Sequence, residues 1–327
     1  MSAVAAGIEI DVLVSEVGPR DGLQSISPVM STADKKAWID ALAAAGVREI
    51  EVGSFVPAKL LPQLADTDQI VAHARAIPGV VVAVLVPNLK GALRAVETGA
   101  HKITIPVSVS ESHSLRNVRR SHAQMIDEVR AIASMIAEVP RASRPSFEVG
   151  LSTAFGCAIE GPVQERKVVE LAEMAIRAGA DEVGLSDTTG YGNPTQVRNL
   201  TRAVWSAIGR ERLSGIHLHN TRGQGLANVV AALDVGLTTV DASLGGIGGC
   251  PFAPGASGNI VTEDLVFLLE AMGLRTGIDI MKLIEARGVL ERALPGEALY
   301  GFVASAGLPL GFAPASERAA VGASEIV

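Results

Sequence analysis

Three features of this 327-residue chain predict a (β/α)8 TIM barrel with extra C-terminal helices. Short β-branched runs recur along it, eight in all. Their spacing averages roughly thirty residues, the size of one strand–helix–strand unit. Between them lie Ala- and Leu-rich amphipathic stretches that stop at glycine, and a Gly stop followed by a strand marks a helix-to-strand loop.

In chain order the predicted strands are Ile10–Val17, Val47–Val52, Gly79–Val86, His101–Val107, Ser146–Ser152, Asp181–Asp187, Ser214–Asn220 and Leu237–Ser243. The third is a continuous apolar run, as expected of a strand buried on both faces. Ser31–Gly46 opens with a Ser/Thr cap and closes at glycine; Pro162–Ala180 opens with proline and reaches Gly179. The last barrel helix spans about Thr262–Met272. A doubly wound open sheet would show fewer strands and a Gly-rich phosphate turn after the first, whereas "GPRDG" is not G-x-G-x-x-G. The expected division is a catalytic barrel over 1–275, a helical extension over 276–312 and a flexible tail over 313–327.

Composition narrows the function. A net charge of −7 argues against a nucleic-acid partner but leaves anionic small substrates open. Two cysteines, Cys157 and Cys250, make no disulfide framework and fit a reducing cytoplasm. No long uncharged apolar run predicts a membrane span, and the N-terminus lacks a basic leader region.

In such a barrel the chemistry sits at the C-terminal ends of the strands. Arg20 and Asp21 stand there after strand 1, Glu51 and Ser54 on strand 2, and Ser186, Asp187 and Thr188 after strand 6. Strand 7 carries "HLH", and residues i and i+2 of a strand share a face, so His217 and His219 point the same way. They are either a metal pair or two polar residues satisfied in the interior. With a carboxylate and an Asn at the same rim, the mixed N/O set suits Mg²⁺ or Mn²⁺, with Zn²⁺ a third candidate. The other four histidines lack such spacing; His113 falls in the loop after strand 4. Cys250, in the glycine-rich run Gly245–Asn259, is either a proton-transfer or nucleophilic thiol or an inert one. Glu51 and Asp187 could be structural carboxylates, and Arg116, Arg119 and Arg120 either meet a phosphate or cover a solvated helix start.

Taken together, "VGPRDGLQ", "GSFVP", "PNLKG", "SDTTG", "HLHNTRGQGLAN" and "GGIGGCPFAPGASGN" resemble the 3-hydroxy-3-methylglutaryl-CoA lyase family, from about Val14 to about Ala286. The Arg-Asp pair marks the wider superfamily of metal-dependent barrel lyases and synthases; the glycine-rich loop is the more specific feature. The resemblance implies a divalent cation held by Asp21, His217, His219 and Asn259, with Arg20 stabilising an enolate. It implies Cys250 on a closing loop in proton transfer, and Glu51 and Asp187 supporting the site. Gln24, Ser54, Asp187 and Thr188 join Arg20 as expected substrate contacts. The substrate is an acyl-CoA, and a homodimer or higher homo-oligomer is expected.

The chain departs from the family's usual pattern at Ser25–Ile26, where Asn-Glu is common, at Gly184 for serine, and at Asn220 and Arg222 for an acidic and an aromatic residue. These leave the reaction type intact and open the acyl group to citramalyl-CoA or a longer 3-hydroxy-3-alkylglutaryl-CoA. A Claisen-type synthase usually carries a further domain, and a silent scaffold barrel would have lost the metal ligands or Arg20.

Overall fold

A computed structural model describes residues 9–248 and 258–322 of the chain. Eight parallel strands close into a barrel in sequence order. They are β1 (Leu13–Glu16), β2 (Glu49–Ser54), β3 (Val81–Leu85), β4 (Lys102–Ser108), β5 (Ser146–Ser152), β6 (Glu182–Ser186), β7 (Gly215–His217) and β8 (Thr239–Ala242). Closure is made by β1 against β8, in register from Leu13 opposite Thr239 to Glu16 opposite Ala242. The chain is thus a TIM barrel with C-terminal helices, as the recurring runs predict. No helix among the described residues is long and apolar enough to cross a membrane.

The aliphatic core lies between sheet and helices. Outward strand positions such as Ile50, Val82, Ile103, Val149, Leu185 and Val240 are buried there, and Trp38 is fully enclosed. The inward positions are unusual. A barrel of this kind normally fills its interior with layers of branched apolar side chains. Here Lys102 sits low in the barrel, 2.6 Å from Glu148, 3.4 Å from Glu182 and 3.6 Å from Glu49. Burial pushes the Glu148 carboxyl up to about 7.

β7 is shorter than Ser214–Asn220, the run that composition suggests. After His217 the chain leaves the barrel, and His219 bridges antiparallel to Asn259 instead of a neighbouring strand. The Asn220 N–H donates to the Gly258 carbonyl at 2.7 Å. Residues with strand-like composition are thus used to bind the returning loop after β8. β2 carries a register shift between Glu51 and Gly53. Such a bulge bends a strand and re-aims its side chains.

The stretch from Phe312 onward, expected to be a frayed tail, carries a helix over Ala315–Gly322. The Ala315 N–H donates to Glu270 Oε2 at 2.7 Å, and the Arg318 guanidinium reaches the Glu270 carbonyl. A polar sequence does not reveal these anchors, because they belong to the helix Thr262–Ala271.

Glu16, which the motifs do not single out, ties the end of β1 to the loops after β8. Its carboxyl accepts from the N–H groups of Gly18 and Leu244, each at 2.9 Å, and from the Thr262 hydroxyl at 2.6 Å. Burial nevertheless pushes it from 4.5 up to about 8. The native state then holds a proton that the unfolded chain releases, so stability falls as pH rises from 4.5 towards 8. Glu16→Gln is expected to retain the fold and flatten this part of the melting-temperature-versus-pH curve. Glu16→Ala strands two buried N–H groups and is expected to cost about 3 kcal/mol. Parallel curves for wild type and Glu16→Gln in thermal melts would refute the linkage.

Candidate active site

The Arg-Asp pair lies on a wide π-type turn, Gly18–Gly22, directly after β1. The Val17 carbonyl accepts from the N–H groups of Arg20 at 3.1 Å and Asp21 at 2.7 Å. Glycine is required at both ends by close packing. A Cβ at Gly18 would lie 2.9 Å from Trp38, and one at Gly22 would lie 2.5 Å from Ile247. The turn therefore seats against the first helix and the loop after β8, and both charged side chains face the barrel mouth.

Arg20 is nine-tenths buried and forks between two carboxylates. Its Nε lies 2.6 Å from Glu51 Oε2, and another guanidinium nitrogen lies 2.5 Å from Asp21 Oδ1. Burial disfavours the guanidinium charge, but Glu51 and Asp21 more than offset this and hold it protonated. Burial likewise raises the Glu51 carboxyl, against the pull of Arg20. At Asp21 the order is reversed. Burial is opposed and overcome by Arg20, His217, His219 and a bond from Asn259, which hold its carboxyl well below the usual range.

Asp21, His217 and His219 offer ligand atoms that all lie within 4.8 Å of one another. The two Nε2 atoms of the histidines are 3.0 Å apart. Adjacent ligands on an octahedral ion with bonds of about 2.1 Å are separated by about 3 Å. Asn259 Nδ2 donates to Asp21 Oδ2 at 2.8 Å, while its buried Oδ1 has no hydrogen-bond partner among the described residues. A carboxylate, two imidazoles and an orphaned amide oxygen in one place fit a divalent cation.

Asp241 on β8 completes this arrangement. His217 Nδ1 donates to Asp241 Oδ2 at 3.1 Å, which leaves Nε2 as the face toward the site. Burial lowers the affinity of His217 for a proton, but Asp241 and Asp21 more than compensate. His219 has no such partner among the described residues; burial and the neighbouring His217 push its ring down to about 3. Asp241 was legible in principle, as an acid on the inward face of the strand next to "HLH".

A cavity of about 900 Å³ opens beside these groups. Arg20, Asp21, Gln24, Glu51, His217 and His219 all line it, as does Thr188. Gln24 is further fixed by donating to Asp21 Oδ1 at 2.8 Å. Ser54 and Asp187, expected as substrate contacts, do not line the cavity. Ser54 is buried, and its hydroxyl accepts from Val56 N–H at 3.3 Å. Asp187 accepts from the N–H groups of Tyr191 at 2.9 Å and Gly192 at 3.0 Å, so it shapes the loop after β6. Cys250 lies outside the described residues. Cys157 is buried and free, consistent with a structural role.

The departures from the family pattern also find places. Ile26 is a core residue, and the Ser25 hydroxyl caps the Asp21 carbonyl at 3.0 Å. Asn220 accepts from Gly225 N–H at 3.0 Å. Arg222 donates to the Thr189 carbonyl at 3.0 Å and lies over the Tyr191 ring. At the cavity mouth stand Arg116, Arg119 and His113. Arg120 pairs with Glu128 at 2.5 Å, whereas Arg116 and Arg119 have no carboxylate partner among the described residues. Position on the cavity wall favours the anion-binding alternative for these two.

Comparison with known proteins agrees with this geometry. A family profile described as HMGL-like matches residues 11–290. The chain is 37% identical over 298 residues to hydroxymethylglutaryl-CoA lyase YngG of Bacillus subtilis, covering 90% of this chain and 98% of that protein. It is 40% identical over 275 residues to a 3-hydroxy-3-isohexenylglutaryl-CoA/hydroxy-methylglutaryl-CoA lyase of Pseudomonas aeruginosa, covering 84% and 90% respectively. Among solved structures, an HMG-CoA lyase from Acinetobacter baumannii in complex with coenzyme A and 3-methylmalate superposes with a TM-score of 0.84 at 41% identity. That superposition covers 93% of this chain and 97% of that one.

Proposed function

The chain belongs to the HMGL-like family, and on that premise we propose that it is a divalent-metal-dependent carbon–carbon lyase acting on 3-hydroxy-3-methylglutaryl-CoA. The products are acetyl-CoA and acetoacetate. The observation that carries this reading is the Arg20 fork set beside the Asp21–His217–His219 cluster, all lining one open cavity.

Cleavage breaks the C2–C3 bond. The tertiary alcohol gives up its proton, C3 becomes the ketone of acetoacetate, and the bond's electron pair moves onto the thioester as an enolate. Asp21, His217, His219 and Asn259 would hold Mg²⁺ or Mn²⁺, which supplies a Lewis acid that lowers the alcohol's pKa. Asp241 holds the His217 ring by its Nδ1 and so fixes which nitrogen faces the site. Arg20 offers a planar, permanently charged donor for the enolate oxygen, and Glu51 with Asp21 fixes its fork. Asp21 or His217 takes the alcohol proton, and Cys250 is the proposed donor to the enolate carbon. The cytoplasm is the proposed compartment, in line with the sparse cysteines.

The test is direct. Purified protein with Mg²⁺ or Mn²⁺ and 3-hydroxy-3-methylglutaryl-CoA should release acetyl-CoA and acetoacetate, followed by mass. No turnover with either metal would overturn the assignment. Arg116 and Arg119 at the mouth, without a carboxylate partner among the described residues, are proposed to meet the phosphates of coenzyme A. Replacing both with Ala should raise KM about tenfold while kcat stays nearly constant, the signature of lost uniform binding. An equal fall in kcat would place them in the chemistry instead.

A further inference from the structure

Among the described residues, two that are not glycine adopt the left-handed backbone region: Thr153 at φ 59° and Arg119 at φ 57°. That region is unfavourable for any side chain, and most of all for a β-branched one. Such residues persist only where their surroundings over-determine them, and they gather at functional sites. These two bracket one short helix at the cavity mouth, Glu111–Asn117. Arg116 lies in its last turn, and Arg119 stands just beyond its end. Helices commonly close on a glycine in this left-handed conformation. Here the position carries Arg119 instead, and Arg119 lines the cavity.

Thr153, in the loop after β5, secures the start of the helix. Its hydroxyl accepts from the Ser110 N–H at 3.1 Å, and its own N–H donates to the Thr188 hydroxyl at 2.8 Å. Ser110 is the N-cap of the helix, its hydroxyl accepting from the His113 N–H at 3.1 Å. Thr153 and Ser110 are fully buried, so water does not replace a lost partner there. One threonine thereby joins the loops after β4, β5 and β6. Glycine would take up this backbone readily but would leave the Ser110 N–H unpaired. Beyond the other end of the helix, the Ser114 hydroxyl donates to the Arg120 carbonyl at 2.7 Å and ties down the turn that holds Arg119.

We infer that Thr153 is a positioning residue for the coenzyme A end of the substrate: through Ser110 it sets the helix that presents Arg116 and Arg119 to the cavity. The inference rests on the reading of these two arginines as phosphate contacts, and extends it to a residue outside the cavity lining. The unfavourable backbone is retained because it aims one hydroxyl at one buried N–H. The Thr153 bonds run to Ser110 and Thr188, not to Arg20 or the cation cluster, so binding responds rather than chemistry.

The experiment measures the Kd of coenzyme A by calorimetry, and kcat and KM for 3-hydroxy-3-methylglutaryl-CoA, with Mg²⁺ present. The proteins are wild type, Thr153→Val, Thr153→Ala and Thr153→Ser. Valine keeps the shape and loses the hydroxyl. Alanine loses it with less conflict at this φ, and keeps the series readable if the valine variant does not fold. Serine retains the hydroxyl, and every variant retains the N–H that holds Thr188. Kd and KM should rise about tenfold in the valine and alanine variants, with kcat within about twofold and the serine variant within about twofold throughout. In an Arg116→Ala/Arg119→Ala background, Thr153→Ala should weaken coenzyme A by less than about twofold more, because the contacts it positions are gone. An unchanged Kd in the valine and alanine variants, whatever their melting temperatures, marks a purely structural role and overturns the inference alone. So does a serine variant as weak as alanine, or an alanine effect that adds in full to that of the arginine variant. If Arg116→Ala/Arg119→Ala itself binds coenzyme A like wild type, the arginine reading falls and the inference falls with it.

Discussion

Replacing Arg20 with Gln is expected to lower kcat about a thousandfold, the scale seen when a donor to a developing oxyanion is removed. The guanidinium is buried and held from two sides by Glu51 and Asp21, so its position costs nothing to organise during the reaction. Gln keeps a donor but loses the charge that the enolate needs. Because the interaction strengthens only as charge develops, kcat and kcat/KM should fall together. Arg20→Lys keeps the charge and loses the fork that matches two carboxylates, so it should recover only part of the rate. The removal also leaves Glu51 buried without its cation. Its carboxyl is already raised by burial, so it can take up a proton rather than unfold the site. Steady-state kinetics on folded protein, checked by circular dichroism, decide the matter. An Arg20→Gln enzyme within tenfold of wild type would sink the enolate role.

The second large effect concerns the cation. His219→Ala should weaken Mn²⁺ binding by about a hundredfold or more, read by calorimetry or electron paramagnetic resonance independently of turnover. Burial and the charge of His217 keep the His219 ring neutral down to about pH 3, so its lone pair is on offer across the working range. Asp21 plays a double part, as the carboxylate of the cluster and as a partner of Arg20. His219 has no such second role, which makes it the cleaner probe. Undiminished binding of one equivalent of Mn²⁺ by His219→Ala would remove His219 from the ligand set.

Both predictions start from groups that the sequence exposes. The eight strands are legible because β-branched runs and glycine stops are local signals, each read within a single element. The shared face of His217 and His219 follows from the two-residue period of a strand. Arg20 and Asp21 stand out because charge in a Pro-Gly turn after a strand is conspicuous. What local pattern does not encode is which faces meet. Asn259 reaches Asp21 across 238 residues of chain, and it does so because the loop after β8 pairs with the end of β7. That pairing also shortened β7 against its composition.

Ser54 and Asp187 show the same limit from the other side. Each has the residue type and the position at the strand ends that suggest substrate contact, and in the fold each also accepts from backbone N–H groups of its own loop. Glu16 and Asp241 look ordinary in the sequence and become important only when β1 and β8 close against each other. Local pattern is enough for the barrel class, its eight strands and the residue types able to bind a cation and stabilise an enolate. Which of them share one site is settled only in the folded chain, as is the carboxylate of Glu148 beside Gly184. The physical reason is that periodicity is local, whereas barrel closure and packing bring together side chains from remote parts of the chain.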